Sequence, residues 1–105
     1  MIYHTVITEP AELDIAATAR YIDVDLQNPI AADNLLDDIE SEVATLETMP
    51  KRNPLVRHEY LASLGFRILQ IHNYLAFYIV HDEKRSVTIE RFLYSRRDWV
   101  HILAE

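Results

Sequence analysis

The chain has 105 residues, of which 50% are apolar or aromatic and 26% charged, with no cysteine, one glycine and a formal net charge of −7. That size supports one hydrophobic core, so residues 1–105 are read as a single domain, and the composition is too apolar for disorder. Without cysteine there is no disulfide, thiolate nucleophile, iron-sulfur cluster or cysteine zinc site, and one glycine is too few for a P-loop, a Rossmann phosphate loop or a nucleophile elbow.

Residues Ile2 to Ile7 form a β-branched and aromatic run that predicts a strand. Thr8 then reads as a helix N-cap with Glu9-Pro10 in the first turn, where acids and proline are both tolerated. The stripe Ala11, Ile15, Ala19, Ile22, Leu26 has helical spacing. Asn28-Pro29 interrupts it and restarts a second helix, with the stripe Ala32, Leu35, Leu36, Ile39, Val43, Leu46 and an end at Pro50. Two helices of roughly five turns each, joined by about two residues, are expected to form an antiparallel hairpin whose apolar stripes need a further layer. Residues 49–63 show little periodicity and read as a loop or short irregular turn. Phe66 to His72, Tyr74 to His81 and Val87 to Tyr94 read as three successive antiparallel strands, the middle one apolar on both faces and therefore interior to the sheet. Arg96 to Leu103 reads as a short terminal helix. The expected class is α+β: an N-terminal strand and a helical hairpin packed on a four-stranded, mainly antiparallel sheet, the first strand pairing with a later one.

Charge divides along the chain. Residues 9–47 hold eleven acids against Arg20 alone, whereas residues 51–105 hold nine bases against six acids. The five histidines, His4, His58, His72, His81 and His101, nowhere adopt the i, i+4 spacing of a metal site, so neither metal nor cofactor is expected. No stretch approaches the about 20 apolar residues that cross a bilayer, and the first residues carry no leader pattern. A cytoplasmic protein with no membrane partner is therefore expected.

This order of elements, with Thr8-Glu9-Pro10-Ala11, Asn28-Pro29, Met49-Pro50, Pro54-Leu55-Val56-Arg57, Gly65-Phe66-Arg67, Asn73-Tyr74-Leu75-Ala76-Phe77-Tyr78 and Arg96-Arg97-Asp98-Trp99, resembles the RelE/ParE toxin superfamily over nearly the whole chain. The terminal Ser95-Arg96-Arg97-Asp98-Trp99 most resembles the ParE-like, plasmid-stabilisation branch. The resemblance implies the toxin of a bacterial type II toxin-antitoxin system, neutralised by a cognate antitoxin. Two activities occur in that superfamily: RelE-like members cut messenger RNA on the ribosome, and ParE-like members inhibit DNA gyrase.

RNA cleavage needs several cations converging on one phosphate together with an acid or base. In the RelE-like pattern an arginine precedes the apolar-apolar-Tyr stretch of the central strand; here that place holds Leu75. Arg67, Arg91, Tyr94 and Arg97 remain the weak catalytic candidates, with His72 or His81 as acid-base groups if they converge with Tyr94. Each arginine also has a structural reading: Arg91 capped by Glu40 or Glu42, Arg96 and Arg97 in surface pairs beside Asp98. The negative net charge argues against direct nucleic-acid binding. The resemblance to the ParE-like branch implies gyrase inhibition as the expected activity, with Arg96, Arg97 and Trp99 as target-binding residues, although Trp99 also suits a plug over the sheet. A RelE-like messenger RNA endonuclease and a non-toxic member that only binds an antitoxin stay open as alternatives, as does a homodimer.

Overall fold

The computed structural model describes residues 2–104. It opens with strand β1 (His4–Ile7), helix α1 (Glu9–Arg20) continued by a π-helical turn (Tyr21–Asp25), and helix α2 (Pro29–Thr45). Both helices begin as their sequences dictate. Thr8 Oγ1 accepts the Ala11 N–H at 3.2 Å and Asn28 Oδ1 accepts the Ala31 N–H at 3.1 Å, each satisfying a donor that the first turn leaves without a partner. Between them Gln27 takes φ 51°, the left-handed conformation that reverses the chain. Ala32, Leu35, Ile39, Val43 and Leu46 are buried, but Leu26 is 54% and Leu36 40% exposed. The apolar stripes are thus narrower than the sequence suggests; Leu36 lines a groove between the two helices.

Helix α3 (Glu59–Ser63) precedes strands β2 (Phe66–Ile71), β3 (Tyr74–His81) and β4 (Ser86–Tyr94), and helix α4 (Trp99–Ala104) closes the chain. The sheet order is β1-β4-β3-β2, with β1 parallel to β4 and the other pairs antiparallel. Strand β3 is therefore interior, as its two apolar faces require. One face carries the core shared with the hairpin, built around Leu35, Tyr78, Ile89 and Phe92. The other carries a second core around Leu61, Phe66, Phe77 and Leu93, covered by α3 and α4.

Three sequence expectations need correction. The segment read as a loop over residues 49–63 contains α3, whose cap is His58, an unusual choice: its Nδ1 accepts the Leu61 N–H at 3.3 Å. The last helix starts at Trp99, not Arg96, because Asp98 Oδ1 accepts the His101 N–H at 3.2 Å and so sets the first turn. The first strand starts at His4. The single glycine, Gly65, sits at φ 92°, where a side chain would strain the turn from α3 into β2.

The stretch between α2 and α3 is pinned by polar contacts. The buried Tyr78 hydroxyl donates to the Pro50 carbonyl at 2.9 Å and accepts from Asn53 Nδ2 at 3.2 Å. Asp82, in the β3–β4 turn, accepts from Lys51 Nζ at 2.7 Å and the Tyr3 hydroxyl at 2.9 Å. Those two hydrogen bonds, Lys51 first, hold the Asp82 carboxyl below its ordinary value, and the same contact raises Tyr3. A depressed carboxylate stabilises the fold above its unfolded value and loses that contribution as pH falls through the folded value. Thermal melts of Asp82→Asn against the parent are expected to differ near neutrality and to converge in strong acid; curves that stay separated to the lowest pH would show that the carboxylate's charge is not what pins the turn.

Candidate functional site

Two of the four catalytic candidates are arginines held by the fold. Arg67, on β2, donates through Nη1 to the Asn53 carbonyl, joining Tyr78 in fixing the 50–53 segment. Arg91, on β4, grips Asp14 of α1 in a two-point fork, Nε to Oδ2 at 2.6 Å and Nη2 to Oδ1 at 3.0 Å. The hydrogen bond to Asp14 raises the Arg91 guanidinium further above its usual value, so its charge is permanent and locally matched. The partner is therefore an acid of the hairpin but not Glu40 or Glu42; Glu42 instead accepts from Arg52 at 3.2 Å. The reason lies in the β4 edge. Strand β1 pairs with Ser86 to Ile89 only, and a bulge leaves Glu90 without a ladder partner in β3. Helix α1 covers the edge from Glu90 onward: Thr8 Oγ1 donates to the Glu90 carbonyl at 2.9 Å, and Asp14 Oδ2 accepts the Phe92 N–H at 3.0 Å.

Leu75 and Trp99 belong to the second core, with the Trp99 ring 5.3 Å from Phe77 and tilted 39°. Trp99 is half-buried and packs as a plug, whereas Arg96 and Arg97 are exposed on the turn before α4. Tyr94 lies at the other face of the sheet, edge-on to Tyr74 at 5.7 Å. His81 pairs with Ser86 at the opposite end of the β3–β4 ladder from Tyr94, so those two do not meet. His72 is near the Tyr94 end but its Nε2 lies 2.6 Å from Asp38 on α2. The sequence candidates thus divide among three places: internal pins (Arg67, Arg91), a core plug (Trp99), and exposed positions (Arg96, Arg97, Tyr94).

Two surface features were not expected from the sequence. An apolar groove of about 620 Å³ runs between α1, α2 and the free edge of β1, lined by Ile7, Ile15, Ala16, Ala19, Leu36 and Ala44 among others. Small residues on α1 keep it open. A smaller cleft of about 520 Å³ lies between α1 and the end of the sheet, lined by Ala17, Thr18, Tyr21, Tyr74 and Tyr94. The only sequence signal for either is the alanine spacing of α1, which helical periodicity assigns to packing. Among the described residues there is no group of three His, Asp or Glu placed to hold a metal, and no helix is long and apolar enough to cross a membrane.

The model of the family described as the ParE toxin of the type II toxin-antitoxin system parDE matches residues 6–99. Among solved structures the chain is similar to one titled as the chromosomal ParDE toxin-antitoxin system from P. aeruginosa, at TM-score 0.71 and 20% identity, covering 89% of this chain and 96% of that one. It is also similar to a chain of the RelBE2 toxin-antitoxin complex from Mycobacterium tuberculosis, at TM-score 0.64 and 22% identity, covering 90% and 99%. At those identities the likeness establishes the fold. No match is found among curated proteins.

The geometry separates structural from surface roles by stability. Trp99→Ala is expected to cost about 2–4 kcal/mol because it empties the space over Phe77, and Asp14→Asn about 2–3 kcal/mol because it strips Arg91 and the Phe92 N–H of a charged acceptor. Arg96→Ala with Arg97→Ala is expected to stay within about 0.5 kcal/mol per site. Urea unfolding of the three variants checks the ranking.

Proposed function

We propose that this chain, which belongs to the ParE toxin family of type II toxin-antitoxin systems, is neutralised by a cognate antitoxin protein and acts by binding and inhibiting DNA gyrase. The observation that carries this reading is the engagement of its arginines. Cutting RNA requires cations free to converge on one phosphate, yet Arg67 is held by a backbone carbonyl, Arg91 is neutralised by Asp14, and the strand position where the RelE-like pattern has an arginine is Leu75, packed with the Trp99 layer. What the surface offers is contact area: the exposed Arg96 and Arg97, and the long acidic hairpin. For the antitoxin, the groove along α1 and α2 suits an amphipathic helix, and β1, an edge strand of the sheet, lies beside it for strand addition.

Supercoiling by purified gyrase tests the target. The toxin is expected to block supercoiling, the antitoxin to restore it, and Arg96→Ala with Arg97→Ala to weaken inhibition about tenfold or more. Ala16→Arg, which places a charge in the groove from an exposed helix position, is expected to lose antitoxin affinity by calorimetry. Wild-type protein without effect on supercoiling would remove the gyrase assignment and, if it still bound the antitoxin, leave a non-toxic member. Codon-spaced cuts in primer extension on messenger RNA, abolished by Arg97→Ala, would replace it with the nuclease.

A further inference from the structure

The smaller cleft has a chemistry that neither an antitoxin groove nor the C-terminal arginines require. Tyr21 from the end of the first helix, Tyr74 from the start of β3 and Tyr94 from the end of β4 all line it, although 73 residues separate the first from the last. Tyr74 is fixed between neighbours, stacked on Phe92 at 5.2 Å and 19° and edge-on to Tyr94 at 5.7 Å. Tyr21 and Tyr94 are 51% and 41% exposed, and the helical wall between them is made of Ala17 and Thr18. The small wall residues leave the rings open.

None of the three phenol hydroxyls forms a hydrogen bond with another described residue, in contrast to Tyr78 and Tyr3, whose hydroxyls are both engaged. Burial and the neighbouring Tyr94 and Tyr21 hydroxyls hold Tyr74 above the ordinary phenol value, so the group is neutral and its oxygen is available as an acceptor. The cleft thus presents aromatic faces and oxygen acceptors without a cation among its lining residues. No charged side chain lines it, but the hairpin that supplies one wall is acidic as a whole, residues 9–47 holding eleven acids against Arg20 alone, and Arg91 on β4 is matched by Asp14. A planar cation that is all donor and stacks on rings fits every one of these features.

We propose that this cleft is a docking site for an arginine side chain presented by a basic segment of a partner protein. The guanidinium lies over the Tyr74 and Tyr94 rings and donates to the phenol oxygens, while the acidic hairpin steers the basic segment toward it. A nucleobase would also stack on tyrosines, but the phosphates attached to it would meet the acidic helices, which favours the peptide.

The test is a titration of the full chain, followed by the amide signals of Ala17 and Thr18 and the ring signals of the three tyrosines. N-acetyl-arginine amide is the probe, N-acetyl-citrulline amide its uncharged isostere, and uridine monophosphate the nucleic-acid control. Saturable shifts with the arginine probe are expected, with citrulline about fivefold weaker or more, the factor one part-exposed cation–π contact supplies, and none with the nucleotide. Ala17→Leu fills the cleft from an exposed helix position and is expected to abolish the response while the Phe77 and Trp99 signals stay in place. Equal response to citrulline, preference for the nucleotide, no response to any probe, or undiminished binding by Ala17→Leu would each overturn the proposal. None of these readouts depends on gyrase or on an antitoxin, so the outcome is separate from that of the proposed function.

Discussion

The molecule turns on a mismatch of strand lengths. Strand β4 has nine residues and its parallel partner β1 has four, so β4 leaves the bulge at Glu90 with one edge uncovered. Backbone donors left in that position would cost about 1–3 kcal/mol each if buried without partners. Asp14 resolves this by taking three hydrogen bonds, two from Arg91 and one from the Phe92 N–H. With side-chain exposures of 16% and 29% the pair is sheltered enough for its attraction to escape most solvent screening, and the third hydrogen bond engages the carboxylate further, which is the condition for such a pair to be favourable.

Much else depends on that contact. Fixing α1 along β4 sets the angle of the hairpin and hence the width of the groove between α1, α2 and β1. It places Ala17 and Tyr21, one and two turns further along, against the Tyr74 and Tyr94 end of the sheet. It also withdraws a guanidinium from the surface. A fold by itself is neutral about chemistry; what this one decides is which cations are already engaged, Arg67 by the Asn53 carbonyl and Arg91 by Asp14. On the other face Trp99 and Phe77 close the second core, while Arg96, Arg97 and Asp98 before α4 and His101 within it stay exposed.

Periodicity and caps act over a few residues, and what depended on them was legible. Thr8 and Asn28 mark helix starts because their side chains reach the third residue on, and an apolar β3 that needs cover on both faces is legible as an interior strand. Helix α3 escaped because its cap is a histidine and its length five residues, too short for a stripe to repeat. The partner of Arg91 escaped because Glu40, Glu42 and Asp14 are equivalent as charges; choosing among them requires knowing which helix lies over the bulge.

The sequence by itself determined the order of the strands and of the hairpin, the class, the interior strand and the resemblance to the toxin superfamily, since each rests on local pattern and spacing. Only the tertiary structure decided what each charged and aromatic side chain is for. Arg67 and Arg91 became internal pins, Arg96 and Arg97 stayed free of the fold's interior, and three tyrosines from three elements gathered around one cleft. Those outcomes depend on contacts between residues far apart in the chain, 77 positions in the case of Asp14 and Arg91. No local rule carries information over such a separation; it is the packing of helix against sheet that creates it.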